Sequence, residues 1–245
     1  MSTSEYLNKI TLGDSYKLIK NLDDKSVDLI VTDPPYLIES TTGGKNNDLG
    51  KSITNINNRL ASGVLTEGVT NEILEEYIRV MKKPNIYIWC NHKQIPQYLD
   101  FFVTKHGCNF DILVWIKANA VPLYSNKYLT DKEYCLYFRK GGYCNPESYE
   151  DAKTWFIEPL NARDKEKYEH PTIKPYKLIE RLIRNSSKVG GVILDTFIGS
   201  GTTAVAAKNT DRNYIGFEID PKWCKIANDR VNGIDANGQQ SFILF

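Results

Sequence analysis

No two cysteines in this chain are spaced as a CxxC pair. The five present (Cys90, Cys108, Cys135, Cys144 and Cys224) are odd in number and scattered. That argues against a disulfide framework or structural zinc and for a reduced, cytoplasmic protein. No apolar run approaches the roughly 18 residues of a membrane span, and the opening Met1–Glu5 is polar rather than signal-like. No membrane partner and no secretion are therefore expected. Neither sign of charge is in excess: the net charge is +1, which argues neither for nor against nucleic acid, since a local basic face can be balanced elsewhere. There is no internal repeat and no low-complexity block. What remains is an ordinary globular composition, 41% hydrophobic and 25% charged over 245 residues, long enough for a single domain spanning 1–245 with a full core.

The most informative stretch is Val27-Asp-Leu-Ile-Val-Thr-Asp33-Pro34-Pro35-Tyr36. A β-branched, apolar run of this kind fits a strand buried on both faces. It must stop at the two prolines, which cannot donate to a sheet ladder. Beyond it lie a carboxylate, a rigid turn with two N–H groups missing, and an aromatic ring. Asp33 and one proline carbonyl can accept hydrogen bonds from a single amino group, while Tyr36 offers a face for stacking. An exocyclic base amine is a poor nucleophile because its lone pair is delocalised into the ring. Two acceptors can draw that nitrogen toward tetrahedral geometry, and Asp33 can stabilise the positive charge that develops on it. The plainer alternative is a strand-to-turn exit with Asp as the turn starter.

Along the chain, Gly13-Asp14-Ser15 precedes a short helix carrying Tyr16, Leu18, Ile19 and Leu22. Residues 37–70 are rich in Gly, Asn, Ser and Thr and read as a long, mobile loop insertion beside the candidate site. Ile73, Leu74, Tyr77, Ile78 and Met81 share a helix face, and Asn85–Cys90 is a buried strand. A helix with Ile95, Leu99, Phe102 and Val103 closes at Gly107, and strands follow at 110–117 and 133–139. Residues 140–169 read as irregular, and Pro175 suits the first turn of a helix bearing Leu178, Ile179, Leu182 and Ile183. The last third alternates: strand 191–195, helix 202–208, strand 213–218, then a helix begun by Asp220-Pro221. Alternation of this kind means a mostly parallel sheet with helices on both faces.

Asp195-Thr-Phe197-Ile-Gly199-Ser200-Gly201-Thr202-Thr-Ala204 sits between strand and helix, where nucleotide-type ligands bind in such sheets. Gly199-Ser-Gly201-x-x-Ala204 meets a relaxed dinucleotide fingerprint, with Glu218 ending the next strand. With no Lys before Thr202 or Thr203, it is not an NTPase loop. A carboxylate ending the first strand suits a cationic ligand better than a pyrophosphate. S-adenosylmethionine fits, with Asp195 at its amino-acid end and Glu218 on its ribose hydroxyls. Simple capping by both carboxylates is the bland alternative.

These blocks together resemble the amino-group DNA methyltransferases of the beta-class arrangement, in which Asp-Pro-Pro-Tyr precedes the cofactor motif. Gly13-Asp14 with Ser26–Tyr36 is similar to that family's opening. Val114–Pro122 is similar to its Trp-x-Lys-x-Asn segment, with Ala120 where Pro is common; His170-Pro-Thr172-Ile-Lys174-Pro175 resembles its His-Pro-Thr-x-Lys-Pro block. Asp195–Thr203 resembles its Asp-Pro-Phe-x-Gly-Ser-Gly-Thr-Thr loop, with Thr196 where Pro is usual. The resemblance implies an α/β, Rossmann-like methyltransferase fold: a seven-stranded sheet with one antiparallel strand and a circularly permuted motif order. It implies catalysis by Asp33, Pro34, Pro35 and Tyr36. It implies S-adenosylmethionine contacts from Asp14, Asp33, His170, Thr172, Lys174, Asp195, Phe197, Gly199, Ser200, Gly201, Thr202, Glu218 and Ile219, with no metal.

A target base inside a duplex must be flipped to reach Tyr36, so double-stranded DNA is the expected partner. Asp rather than Ser before Pro-Pro implies adenine N6, with cytosine N4 as the alternative. Recognition is expected from 37–70 and from 140–169, a short target-recognition insertion. Arg163–Lys188, with eight Lys/Arg against four Asp/Glu, suits phosphates or is simply a solvated helix face. A homodimer, a cognate restriction endonuclease and a bacterial or phage origin are compatible with the resemblance. Other classes left open are an NAD-type oxidoreductase, which would have only the 44 residues after Gly201 for a downstream substrate domain and would leave the tetrad unexplained, and a non-catalytic DNA-binding relative. RNA or protein amides are further candidate acceptors.

Overall fold

In a computed structural model of the chain, the described residues are 2–37, 68–120, 122, 126, 128–159 and 173–234. Among the described residues eight strands form one sheet: β1 (Lys9–Leu12), β2 (Leu29–Thr32), β3 (Asn85–Cys90), β4 (Asn109–Lys117), β5 (Lys132–Arg139), β6 (Trp155–Glu158), β7 (Val192–Asp195) and β8 (Asn213–Glu218). Their order is β1-β8-β7-β2-β3-β5-β4-β6. Only β5 runs against the rest, pairing antiparallel with both β3 and β4. The mostly parallel α/β architecture with one reversed strand is as expected, but the strand count is eight rather than seven. Lys9–Leu12 joins one edge through β8, ahead of the short helix expected after Ser15 and where no strand was expected. Trp155–Glu158 joins the other edge through β4, inside the stretch read as irregular. Both are four-residue edge strands with half or more of their positions not buried, so neither carries an apolar run.

Helices cover both faces. Buried on one side are α5 (Tyr176–Ser186), α6 (Thr202–Asn209) and α7 (Pro221–Val231), packed on Leu29, Val31, Tyr87, Trp89 and Ile193. The opposite face holds α1 (Thr3–Tyr6), α2 (Ser15–Leu18), α3 (Asn71–Val80) and α4 (Ile95–Tyr98, continued as a π-helix over Leu99–Lys105). Strands β2 and β3 are buried at every position, since they are apolar on both faces. Helix α3 buries Ile73, Leu74, Tyr77 and Val80, an i, i+1, i+4, i+7 stripe. Asp14 caps α2 by accepting from the Tyr16 N–H at 3.0 Å, and Asp220 caps α7 by accepting from Lys222 N–H at 2.7 Å. Pro175 stands one residue ahead of α5, at its N-cap.

The strand directions sort the connections. The carboxyl ends of β1, β8, β7, β2 and β3 lie together, and the antiparallel β5 begins at that same end with Lys132. Residues 118–131, between β4 and β5, therefore start and finish there. Residues 140–148 leave at the opposite end, where Lys140 N–H donates to the Pro84 carbonyl and Asn145 N–H to that of Asn185, at 2.9 and 2.7 Å. The first half of the stretch read as a target-recognition insertion is thus remote from the site, and β6 carries the chain back toward it. Residues 160–169 and nearly all of the 37–70 loop lie outside the described residues.

Candidate active site

Parallel pairing of β2 with β7, Leu29 opposite Ile193 and Ile30 opposite Leu194, brings the two motif-bearing strands side by side. Thr32 donates to Asp195 Oδ1 at 3.0 Å across 163 positions of sequence. The tetrad and the glycine turn thus emerge from adjacent strands at the carboxyl edge, where open α/β sheets bind ligands.

Asp33 follows β2 directly. Its Oδ2 accepts from Lys174 Nζ at 2.5 Å, while Oδ1 is buried and has no hydrogen-bond partner among the described residues. Lys174 also lies 3.1 Å from Glu133 Oε2 and 3.4 Å from the Tyr36 hydroxyl. Glu133 in turn pairs with Lys117 at 2.8 Å, giving a line of alternating charges, Asp33–Lys174–Glu133–Lys117. Burial works against the Lys174 charge, but the two carboxylates outweigh it and raise its pKa. Burial would also raise the Glu133 carboxyl, yet the two ammonium groups hold it down to about 2. For Asp33 burial wins: its pKa is raised despite Lys174, with Glu133 adding to the upward push.

The proline turn is held from β3 and the start of α4. Gln94, 2% exposed, donates to the Pro35 carbonyl at 3.1 Å, and Asn91 donates to the Leu37 carbonyl at 2.7 Å. Among the described residues no group donates to the Pro34 carbonyl, so it and Asp33 Oδ1 are both acceptors without a donor there. The Tyr36 ring packs against the core and lies under Lys174 Nζ at 5.6 Å from its centroid.

The glycine turn is built from the inside. Gly199 and Gly201 have φ of 51° and 84°; a Cβ on Gly201 would stand 3.0 Å from that of Ala227. Asp195, 4% exposed, accepts from Thr32, from Thr203 Oγ1 at 2.7 Å and from Phe197 N–H at 3.1 Å. Burial pushes its pKa up to about 7 against those three hydrogen bonds. Ser200 and Thr202 turn their hydroxyls toward the buried Arg230 of α7, at 3.3 and 2.9 Å, so what the turn offers a ligand is backbone. Glu218 accepts from Gly199 N–H and Asp220 N–H, both at 2.9 Å, and burial raises its pKa. Beside it, Ile219 is 62% exposed, an apolar side chain at the sheet's ligand edge. Asp14 sits at the same edge through the Gly13 N–H, which donates to the Glu218 carbonyl at 2.7 Å.

Thr196, standing where the resembled loop has Pro, is fully buried. Its hydroxyl meets the Tyr77 hydroxyl at 2.5 Å and that of Thr32 at 3.3 Å, and its carbonyl accepts from Ser15. A polar knot between α3, β2 and β7 occupies the place of a ring.

Of the residues expected at the site, Asp33–Tyr36, Lys174, Asp195, Phe197, Gly199–Thr202, Glu218 and Ile219 lie along this edge with Asp14 beside them. Lys174 contacts Asp33 and the Tyr36 hydroxyl of the tetrad; His170 and Thr172 lie outside the described residues. Glu133, Gln94, Thr32 and Tyr77 were not anticipated. A lone acid at a strand's start reads the same in sequence whether solvated or buried, and only the lysine of the Trp-x-Lys segment hinted at a partner. Of the five described cations of the basic segment, three are ion-paired or hydrogen-bonded within the chain. Lys174 is buried, Arg184 pairs with Glu180 at 2.9 Å, and Arg181 lies 3.7 Å over Phe156 while donating to the Glu150 carbonyl.

Comparison with known proteins agrees with this geometry. The family model described as DNA methylase, of the N6/N4 type, matches residues 27–229. The type II methyltransferase M2.LlaDCHI of Lactococcus lactis subsp. cremoris is 32% identical over 240 residues, covering 90% of this chain and 87% of its own. M2.DpnII of Streptococcus pneumoniae is 30% identical over 255 residues, covering 94% and 93%. Among solved structures, the M1.HpyAVI–SAM complex superposes with a TM-score of 0.68 at 25% identity, over 95% of this chain and all of that one. The cytosine-N4-specific PvuII DNA methyltransferase shares the fold, with a TM-score of 0.69 at 16% identity over 94% of this chain and 88% of that one. With a family match spanning both the tetrad and the glycine turn, the chain belongs to the N6/N4 DNA methylase family.

Proposed function

We propose that this methyltransferase transfers a methyl group from S-adenosylmethionine to the N6 amino group of adenine in a base turned out of double-stranded DNA. The observation that carries the reading is the buried Asp33 Oδ1, which has no donor among the described residues, at the head of a proline turn whose Pro34 carbonyl has none there either. The family match and the SAM complex of a structural neighbour support the donor. When bound, the cofactor supplies an electrophilic methyl group.

The residues present suit that ligand. Backbone of the Gly199–Gly201 turn, the Glu218 carboxylate for ribose hydroxyls, and exposed Ile219 for an adenine face would hold it. Asp195 would meet its cationic amino-acid end, with Asp14 a further contact at the same edge. Asp33 Oδ1 and the Pro34 carbonyl each accept one amine N–H, and Tyr36 stacks on the base. As the nitrogen attacks, the Asp33 carboxylate faces the growing positive charge, and the surplus proton leaves afterwards toward Asp33 or solvent. Type II relatives support a place beside a cognate endonuclease, testable by protection of methylated DNA from cleavage.

Cytosine N4 is the second reading, favoured by the shared fold of the PvuII enzyme. Asp rather than Ser ahead of Pro-Pro weighs for adenine. The test is expression in a methylation-free bacterium with modified bases mapped by single-molecule sequencing. N6-methyladenine at a defined site is expected. N4-methylcytosine would replace the adenine assignment, and unmodified DNA would sink the reading.

A further inference from the structure

We propose that Glu133 is a positioning residue of the reaction: one buried carboxylate, acting through Lys174 and on the Tyr36 hydroxyl, sets both the amine acceptor and the stacking ring. The inference rests on the function proposed above. Three observations carry it. Glu133 Oε2 stands 3.1 Å from Lys174 Nζ and 3.5 Å from the Tyr36 hydroxyl, so it touches both groups that fix the tetrad. Its other oxygen is held at 2.8 Å by Lys117, which ties the end of β4 to the site. Lys174, 7% exposed, uses Asp33 Oδ2 and leaves Oδ1 free, an arrangement a lysine with a single carboxylate partner need not keep.

Charge gives the second half of the argument. Asp33, Glu133, Lys174 and Lys117 sum to zero, with Lys174 shared between two carboxylates. Without Glu133 the ammonium would answer Asp33 alone and the cluster would carry a net positive charge. That charge would oppose the cation developing on the amine, in a site dry enough for the effect to be large. Asp33 is faced by several groups that bear on its titration: Lys174, Glu133 from β5, Tyr36, Cys90 of β3, Cys135 of β5, Tyr98 of α4, and Asp195 beyond Thr32. Of these, Lys174 and the Tyr36 hydroxyl favour its ionised form, and Glu133 disfavours it.

The test uses the full-length protein, with single-turnover methylation of DNA measured across pH and S-adenosylmethionine affinity measured separately. Glu133→Gln should lower the transfer rate about ten- to a hundredfold, as small misplacements at a reacting centre do, with cofactor Kd within about twofold. It should also move the acid limb of the rate profile to lower pH. Lys117→Met removes a positive charge and should move that limb to higher pH. Opposite shifts are not expected of two merely structural lesions. Wild-type rates and an unmoved limb in Glu133→Gln, or shifts of the same sign in both variants, would overturn the inference. Should Glu133→Gln fail to bind cofactor or to melt cooperatively, Lys117→Met decides alone: an upward shift supports the role, and no shift overturns it. Failure of the function itself shows differently, as methylation that survives Asp33→Ala or as unmodified DNA with the wild-type protein.

Discussion

Asp33 is asked to do two things at once: accept an N–H and face a growing positive charge. The two can be separated. Asp33→Asn keeps an oxygen acceptor but loses the charge, and its methyl transfer rate should fall about 10²–10³-fold. Asp33→Ala loses both and should be silent, while equilibrium dialysis still finds cofactor binding. Asp195 makes a separate prediction through pH. Its folded-state pKa, about 7, lies above the 3.8 of an unperturbed aspartate. A raised carboxyl contributes stability below the unfolded value, and that contribution is lost as pH rises through the folded value. Asp195→Asn should therefore raise the thermal midpoint of the cofactor-free protein at pH 8 but not at pH 4. If an ammonium sits against Asp195, cofactor affinity of the wild type should weaken as pH falls through about 7, and calorimetric titrations at pH 6 and 8 would show it. Asp33 itself was legible in the sequence because a carboxylate, two prolines and an aromatic ring directly end an apolar strand. Glu133 was not, since the groups it meets, Lys174 and Tyr36, are delivered to it by the fold from 41 and 97 positions away.

Elements were legible in proportion to their burial. Strands β2 and β3 are apolar on both faces and announced themselves, as did the amphipathic α3 and α5. β1 and β6 did not: an edge strand pairs on one side only, so its sequence need not carry a continuous apolar run. The knot at Thr196 is the element-scale test of the glycine turn. Thr196→Val leaves the Tyr77 hydroxyl buried without its closest partner and should cost about 1–3 kcal/mol by urea unfolding. Adding Tyr77→Phe should recover part of that loss, giving a coupling between two residues 119 positions apart. Strict additivity would show that the contact carries no energy. Gly201→Ala meets both a left-handed backbone and the Ala227 methyl. It should lower stability and weaken cofactor binding together, since the turn's backbone is what a ligand would touch.

At the scale of the whole molecule, the fold solves a problem of distance. The acceptor tetrad and the glycine turn are far apart in the chain, and parallel pairing of β2 with β7 brings them to one sheet edge. That juxtaposition was legible only from the order of motifs, because no local pattern specifies which strands become neighbours. Charge along the chain was a poorer guide. The basic segment before and within α5 looked suited to phosphates, yet three of its cations serve Asp33, Glu180 and a loop carbonyl. Of the two stretches expected to read the target, 140–169 begins at the end of the sheet away from the site, and nearly all of 37–70 lies outside the described residues. The measurement that bears most directly on the central claim pairs base mapping with one substitution. DNA from a methylation-free host should carry N6-methyladenine when the wild type is expressed. With Asp33→Ala it should carry none, although the purified variant still binds S-adenosylmethionine. Modified adenine persisting in that variant would contradict the account.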